Sequence, residues 1–312
     1  MSLVVALSGG IGGAKLALGL SRVLPADELL VVANTGDDFE HLGLAVSPDI
    51  DTLLYTLAGI ANTETGWGRA GETWSFMAAL AELGGETWFR LGDRDLAVHV
   101  ERSRRLRAGE SLSAITDELC RRLGVAPRVL PMSDDKVRPR VRTETGWIEF
   151  QDYFVGQQCR PVVRELAFVG AVEARPHPDF LAALARPDLR AVVICPSNPF
   201  ISVEPILAVP GARAALAACP APVIAVSPII GGRAVKGPTA KMMAELGLDV
   251  SAATVADRYG DLLDGYVADH ADADALFRVR PRVFLAATLM TTLADREALA
   301  RTVLNAADEL AA

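Results

Sequence analysis

Four glycines crowd the stretch SGGIGGAK, at positions 9, 10, 12 and 13, between an apolar run and Lys15. Glycine has no Cβ to keep a phosphate away from the backbone N–H groups, and the start of a following helix favours negative charge. Gly9, Gly10, Gly12 and Gly13 therefore suit a phosphate cradle; a tight strand-to-helix turn with no ligand is the simpler alternative. Neither familiar nucleotide fingerprint is spelled out. A dinucleotide loop read from Gly10 needs glycine where Lys15 stands. A P-loop needs glycine before its lysine and Ser or Thr after it, where this chain has Ala14 and Leu16.

A second stretch, ANTGDDFEHLGLAVSPDIDT (33–52), gathers Asp37, Asp38, Asp49 and Asp51, with Glu40 nearby. Carboxylates this dense repel one another unless a cation sits among them, and Mg²⁺ is the usual solution. The alternative is helix capping, because Ser47-Pro48-Asp49 opens a helix well and Asp51 would fall in its first turn. In LGDRDLAVHVERSRRL (91–106), Arg94 follows an extended TWFRL and lies between Asp93 and Asp95. Its guanidinium suits a phosphate or an oxygen-rich ring, or else a helix-start ion pair. Arg102, Arg104 and Arg105 read as a solvated helix face.

The fourth stretch, CPSNPFISVEPIL (195–207), is echoed by VSPIIGGRAVKGPTAK (226–241). Ser197, Asn198 and Pro199 in the first are backbone-fixing and rich in donors. Arg233 and Lys236 add charge in the second. Both fit a rigid ligand wall, with stiff connections as the alternative. No Ser-His-Asp or Cys-His set stands out, and nothing marks a general base for Ser8.

These residues need a scaffold. Short runs apolar on both faces, LVVALS (3–8), ELLVVANT (28–35), AVVICPS (191–197), PVIAVSP (222–228) and RVFLAAT (282–288), suit strands of a parallel sheet covered on both sides. Helical periods occupy 14–24, 73–83, 111–123, 237–246 and 295–310. The alternation predicts an α/β fold with a Rossmann-like, doubly wound, mostly parallel sheet in three layers. Ligands then bind beyond the carboxyl ends of the strands, where the four stretches fall. VRPRVRTETGWIEFQDYF (137–154) reads as a hairpin turning at 143–146, and VVRELAFVGA (162–171) extends it. Residues 131–180 are expected to form a smaller inserted mixed lobe, with 1–130 and 181–312 making the nucleotide-binding core. YVADHADADAL (266–276) reads as a solvated turn and helix start.

Bulk properties narrow the function. The 312 residues carry a formal net charge of −8 and no basic cluster, which disfavours nucleic acid and anionic membrane as partners. Cys120, Cys159, Cys195 and Cys219 have no C-x-x-C spacing, so reduced thiols are expected rather than a zinc site or a disulfide scaffold. No run reaches the roughly 18–20 apolar residues of a membrane span, and the N-terminus lacks a signal-peptide pattern. A cytoplasmic protein is the default. Aromatic residues make up 6%, too few to suggest base-stacking platforms.

Nine stretches in order, SGGIGGAKL (8–16), ANTGDD (33–38), SPDIDT (47–52), LGDRDLA (91–97), LPMSDD (130–135), FQDYFVG (150–156), PSNPFISVEPIL (196–207), SPIIGGRAVKGP (227–238) and TLMTT (288–292), span nearly the whole chain. The set resembles the 2-phospho-L-lactate transferase family of coenzyme F420 biosynthesis. The resemblance implies a Mg²⁺-dependent, often dimeric enzyme. Such an enzyme moves a phospholactyl, phosphoenolpyruvyl or phosphoglyceryl unit from a diphosphoguanosine donor to the ribityl hydroxyl of the deazaflavin Fo, releasing GMP. It implies Asp37 and Asp51 as metal-holding or hydroxyl-orienting carboxylates, and Asp51 and Arg94 beside the deazaflavin. The Gly9–Gly13 loop, Ser197-Asn198-Pro199 and Lys236 would then face the donor nucleotide. A related family of gluconeogenesis factors, resembling regulators that bind a nucleotide sugar, shares the Gly-rich start and is the alternative. An NAD-dependent dehydrogenase fits less well, given the broken fingerprint.

Overall fold

The computed structural model describes residues 2–312. Seven strands form the central sheet: β1 (Leu3–Ser8), β2 (Leu29–Ala33), β3 (Arg128–Pro131), β4 (Leu189–Ile194), β5 (Val223–Val226), β6 (Gly265–Asp269) and β7 (Arg282–Ala286). Their order is β3-β2-β1-β4-β5-β6-β7, and every pairing is parallel. This is the doubly wound arrangement, with its reversal of strand order between β1 and β4.

The continuous apolar runs have a direct structural meaning. Successive strand side chains point to opposite faces. Leu3, Val5 and Leu7 of β1 enter one buried cluster, and Val4 and Ala6 enter the other. The second cluster is closed by α1 (Gly10–Val23), α2 (Pro48–Leu57), α4 (Leu112–Leu123) and α5 (Leu293–Ala311), through Leu16, Ile50, Ile115 and Val303 among others. Between α2 and α4 runs α3 (Asp93–Arg107). Phe180, Phe200, Met242 and Val255 cover the first face. Each such fully buried apolar side chain contributes about 1.5–3 kcal/mol relative to exposure.

The hairpin Arg138–Thr143 and Gly146–Glu149, with Glu165–Val169 on its other edge, makes a three-stranded antiparallel sheet. Its Val141, with Phe150, Tyr153 and Val163, joins the same buried cluster as β1 and β4.

Three local expectations need correction, and one strand was not anticipated. Residues 265–269 form β6, a buried inner strand, because Tyr266, Val267 and Ala268 outweigh the acidic residues that follow. Only His270–Ala275 is a 3-10 turn. TWFRL (87–91) is not a strand; it crosses the surface without regular structure. Strand β3 is present although its four residues carry too short an apolar signal. Arg102 is fully buried, whereas Arg104 is solvated as expected.

All four cysteines are free thiols. Among the described residues no helix is long and apolar enough to cross a membrane.

Candidate active site

The loops after β1 and β4 meet at the point where strand order reverses. The Ser197 hydroxyl donates to the Gly9 carbonyl at 2.8 Å and accepts the Gly9 N–H at 3.3 Å. At Gly12 a Cβ would overlap the Pro196 carbonyl oxygen, so a glycine is required for the two loops to touch. Gly13 packs beneath, against the Ser8 and Ser197 hydroxyls. Asn198 accepts the Phe200 N–H at 2.9 Å and starts the buried helical turn Pro199–Val203.

The loop after β2 is fastened to both. Asn34, fully buried, donates to Asp49 Oδ2 at 2.8 Å and to the Ile201 carbonyl at 3.1 Å. Asp49, in the first turn of α2, also accepts the Gly10 N–H at 2.6 Å. Three strand ends therefore share one hydrogen-bonded floor.

Carboxylates collect on this floor. Burial raises Asp49 to about 6, against the pull of its bonds from Asn34 and Gly10. Burial raises Asp38 to about 7, opposed by the Arg138 charge and by the Ser47 hydroxyl, which donates at 2.8 Å. Asp37 is pushed well above the carboxylate range by burial and then by Asp49 and Asp38. One oxygen each of Asp37 and Asp38 is buried without a hydrogen-bond partner. Such unpartnered carboxylate oxygens are of the kind a hard divalent cation takes, and Asp37 and Asp38 could help to hold Mg²⁺.

A cavity of about 670 Å³ opens over this floor. Gly9, Gly10, Gly12, Asp37, Asp49, Ser197, Asn198 and Lys236 line it. Lys15 lines it too, donating to the Met290 carbonyl at 2.8 Å. Burial, then Arg296 and Lys236, lower the Lys15 pKa. Among the described residues the one lysine ion pair is Lys241 with Glu245, which leaves Lys15 and Lys236 without carboxylate partners at the cavity. Trp67, Trp88, Phe89, Phe150 and Phe154 form the apolar part of the wall. A low overall aromatic content thus hides a local concentration. Phe150 and Phe154 stack at 5.5 Å, and Trp88 meets Phe89 and His41 edge-on.

Three expected site residues lie elsewhere. Asp51 is buried behind the floor, both oxygens bonded to the guanidinium of Arg102, with His99 Nδ1 at 3.7 Å. Burial opposes the Arg102 charge, and Asp51 outweighs it, raising its pKa. Asp51, Asp95 and His99 come close enough together to hold an ion, but Arg102 already satisfies Asp51. Arg94 is exposed on the first turn of α3 and does not line the cavity. Pro199 is buried at the start of the turn Pro199–Val203 and does not line the cavity. Asp49 was one of four clustered carboxylates in the sequence, with Asp51 preferred over it; Lys15 and the aromatic wall were not singled out. Asp49 was legible both as a cation ligand and as a capping residue, and Lys15 only as the residue standing where a dinucleotide loop needs glycine.

The family model described as 2-phospho-L-lactate transferase CofD matches residues 4–302. A phosphoenolpyruvate transferase of Kitasatospora aureofaciens is 45% identical, over 98% of this chain and 98% of its own. A protein of the same name from Streptomyces coelicolor is 43% identical over the same shares. A 2-phospho-L-lactate transferase of Methanosarcina mazei is 39% identical over 97% of this chain and 100% of its own. Among solved structures, a UPF0052 family member from Bacillus halodurans superposes with a TM-score of 0.64, covering 97% of this chain and 100% of its own. At 13% identity that likeness concerns the fold alone.

Proposed function

The chain belongs to the 2-phospho-L-lactate transferase CofD family, and from that premise we propose that it transfers a phospho-acyl unit from an acyl-diphosphoguanosine to the ribityl hydroxyl of Fo. One observation carries the reading. Buried carboxylates face two lysines without acidic partners across a single cavity, and that cavity has an aromatic wall. An anionic diphosphate needs the first two features and a flat deazaflavin needs the third. Of six phosphoenolpyruvate transferases compared, five stand at 43–45% and one at 38%, against 39–40% for two 2-phospho-L-lactate transferases. That ordering favours an enolpyruvyl donor.

In this reading the hydroxyl oxygen of Fo forms a bond to the phosphorus that carries the acid. The bond from that phosphorus to the bridging oxygen breaks, and GMP leaves with the electron pair. The work of the protein is positioning and charge placement. The start of α1 beyond Gly10 and the ammoniums of Lys15 and Lys236 hold the diphosphate, the Gly9 and Gly10 N–H groups being engaged by Ser197 and Asp49. Ser197 and Asn198 support the nucleotide side. Asp37 and Asp49 would hold Mg²⁺, which supplies charge neutralisation at the diphosphate when bound. Asp49 takes this place rather than Asp51 because it lines the cavity and its oxygens accept only neutral N–H donors, whereas those of Asp51 are paired with the Arg102 guanidinium. The hydroxyl proton is released to water as the new bond to phosphorus forms.

The competing reading, a nucleotide-sugar-binding regulator, separates by ligand-induced melting shifts. GDP with Mg²⁺ should raise the melting temperature, and a UDP-sugar or NAD should not. A shift with the UDP-sugar alone would overturn the transferase reading.

A further inference from the structure

Between α2 and α3 the chain makes a long excursion over residues 58–92. It contains one short helix, Ser75–Glu82, and buries little beyond Met77, Leu91 and Gly92. A segment with so few buried apolar contacts cannot hold its own shape by packing. Yet it delivers Trp67, Trp88, Phe89 and Arg90 to the cavity wall.

A backbone bridge between Ala61 and Arg69 and the contacts of Trp88 with Phe39 and His41 brace it, and a pair of reciprocal carboxylates fastens its root. Glu72, within the excursion, accepts the N–H of Arg94 at 2.7 Å and that of Asp95 at 2.9 Å, the first turn of α3. Asp93, the first residue of α3, reaches back. It accepts the N–H groups of Ser75 and Phe76 at 3.1 Å each and the Thr73 hydroxyl at 2.6 Å. Each carboxylate caps the N-terminus of the helix on the other side of the junction, satisfying donors that a helix start leaves open. Neither touches the cavity. Arg90 lies over the Trp74 ring at 4.2 Å, tying the distal arm to the same junction.

We propose that Glu72 and Asp93 are positioning residues: together they latch the strap 58–92 to α3 and so set the aromatic wall against the acceptor. The proposal rests on the reading of the acceptor as a flat ring, and it assigns the LGDRD stretch a role as a latch.

Three of the four tryptophans, Trp67, Trp74 and Trp88, lie in the strap. Trp147 is in the remote hairpin. In a Trp147→Phe background, emission therefore reports the strap alone. Glu72→Gln in that background should shift the ligand-free emission to the red. It should raise the KM for Fo about tenfold, while the KM for the donor stays within about twofold. A merely structural role would move both substrates together. Parent-like emission with a parent-like KM for Fo, or equal loss for donor and acceptor, overturns the proposal.

Should Glu72→Gln give no cooperative melt, Thr73→Val decides. It removes one exposed latch hydrogen bond. It should raise the KM for Fo about threefold with a smaller red shift, and no change in either overturns the latch. If the Trp147→Phe parent turns over no donor with Fo, the transferase reading fails by itself. The ligand-free emission of the two variants then still decides whether these carboxylates hold the strap.

Discussion

The Gly10 N–H donates to Asp49 Oδ1 across 2.6 Å, joining the first residue of α1 to the first turn of α2. The glycine loop and the acidic stretch are 39 residues apart in sequence, and this bond makes them one surface. Gly10 adopts φ +64°, a conformation that costs most side chains strain, and that turn aims its N–H at the carboxylate.

Asp49 and Asp51 are two residues apart and should fail in different ways. Asp49→Asn removes a charge from the cavity and is expected to lower turnover at least about 100-fold with the melt preserved. Asp51→Asn leaves the buried Arg102 uncompensated and should cost about 3–5 kcal/mol in denaturant melts. Pairing it with Arg102→Met should restore much of that stability. Equal stability losses in the two single variants would contradict the separation of roles.

The raised carboxylates give the stability a pH dependence of known sign. Unfolded Asp titrates near 3.9, whereas Asp49 and Asp38 titrate at about 6 and about 7 in the fold. The folded state therefore binds more protons between these values, and their contribution makes stability fall as pH rises from about 4 to about 7. Mg²⁺ should reverse the loss, raising the melting temperature more at pH 8 than at pH 5. Asp49→Asn should flatten the fall, by roughly 2–5 °C at pH 8. Melting curves across pH with and without Mg²⁺ check both statements.

Gly12→Ala places a methyl group on the Pro196 carbonyl oxygen, a backbone atom with no rotamer to yield. The loops after β1 and β4 must then part. About 1–3 kcal/mol of stability and most nucleotide affinity should be lost, measured by melts and GDP titration.

Lys15→Ala and Lys236→Ala should each weaken GDP binding about tenfold, with a smaller dependence on salt than the parent shows. Calorimetric titration at two ionic strengths measures both effects.

The chain's parallel sheet was legible because β1, β2, β4, β5 and β7 are apolar on both faces. The hairpin was legible from its Thr-Glu-Thr-Gly turn. β6 was obscured by the acidic tail after Ala268. The glycine loop could be read as a ligand loop because local backbone chemistry acts over a few residues. The partners of Asp51 and Asp49 could not be read in that way. Which carboxylate faces the cavity depends on the helical turn at α2 and on an arginine 51 residues further along, and neither leaves a local mark. The same holds for Arg102, whose burial is set by α3 lying against α2 and not by its Arg-rich neighbours. The aromatic wall comes from three separate segments, so composition averaged over the chain could not reveal it.

The central claim is the transfer itself. Purified protein should be mixed with Mg²⁺, Fo and the enolpyruvyl, lactyl or glyceryl diphosphoguanosine in turn, and the products read by mass spectrometry. The account predicts GMP and the matching Fo phosphodiester in equal amounts, fastest with the enolpyruvyl donor. No phosphodiester from any donor, with protein that still melts at a higher temperature on adding GDP and Mg²⁺, would contradict it.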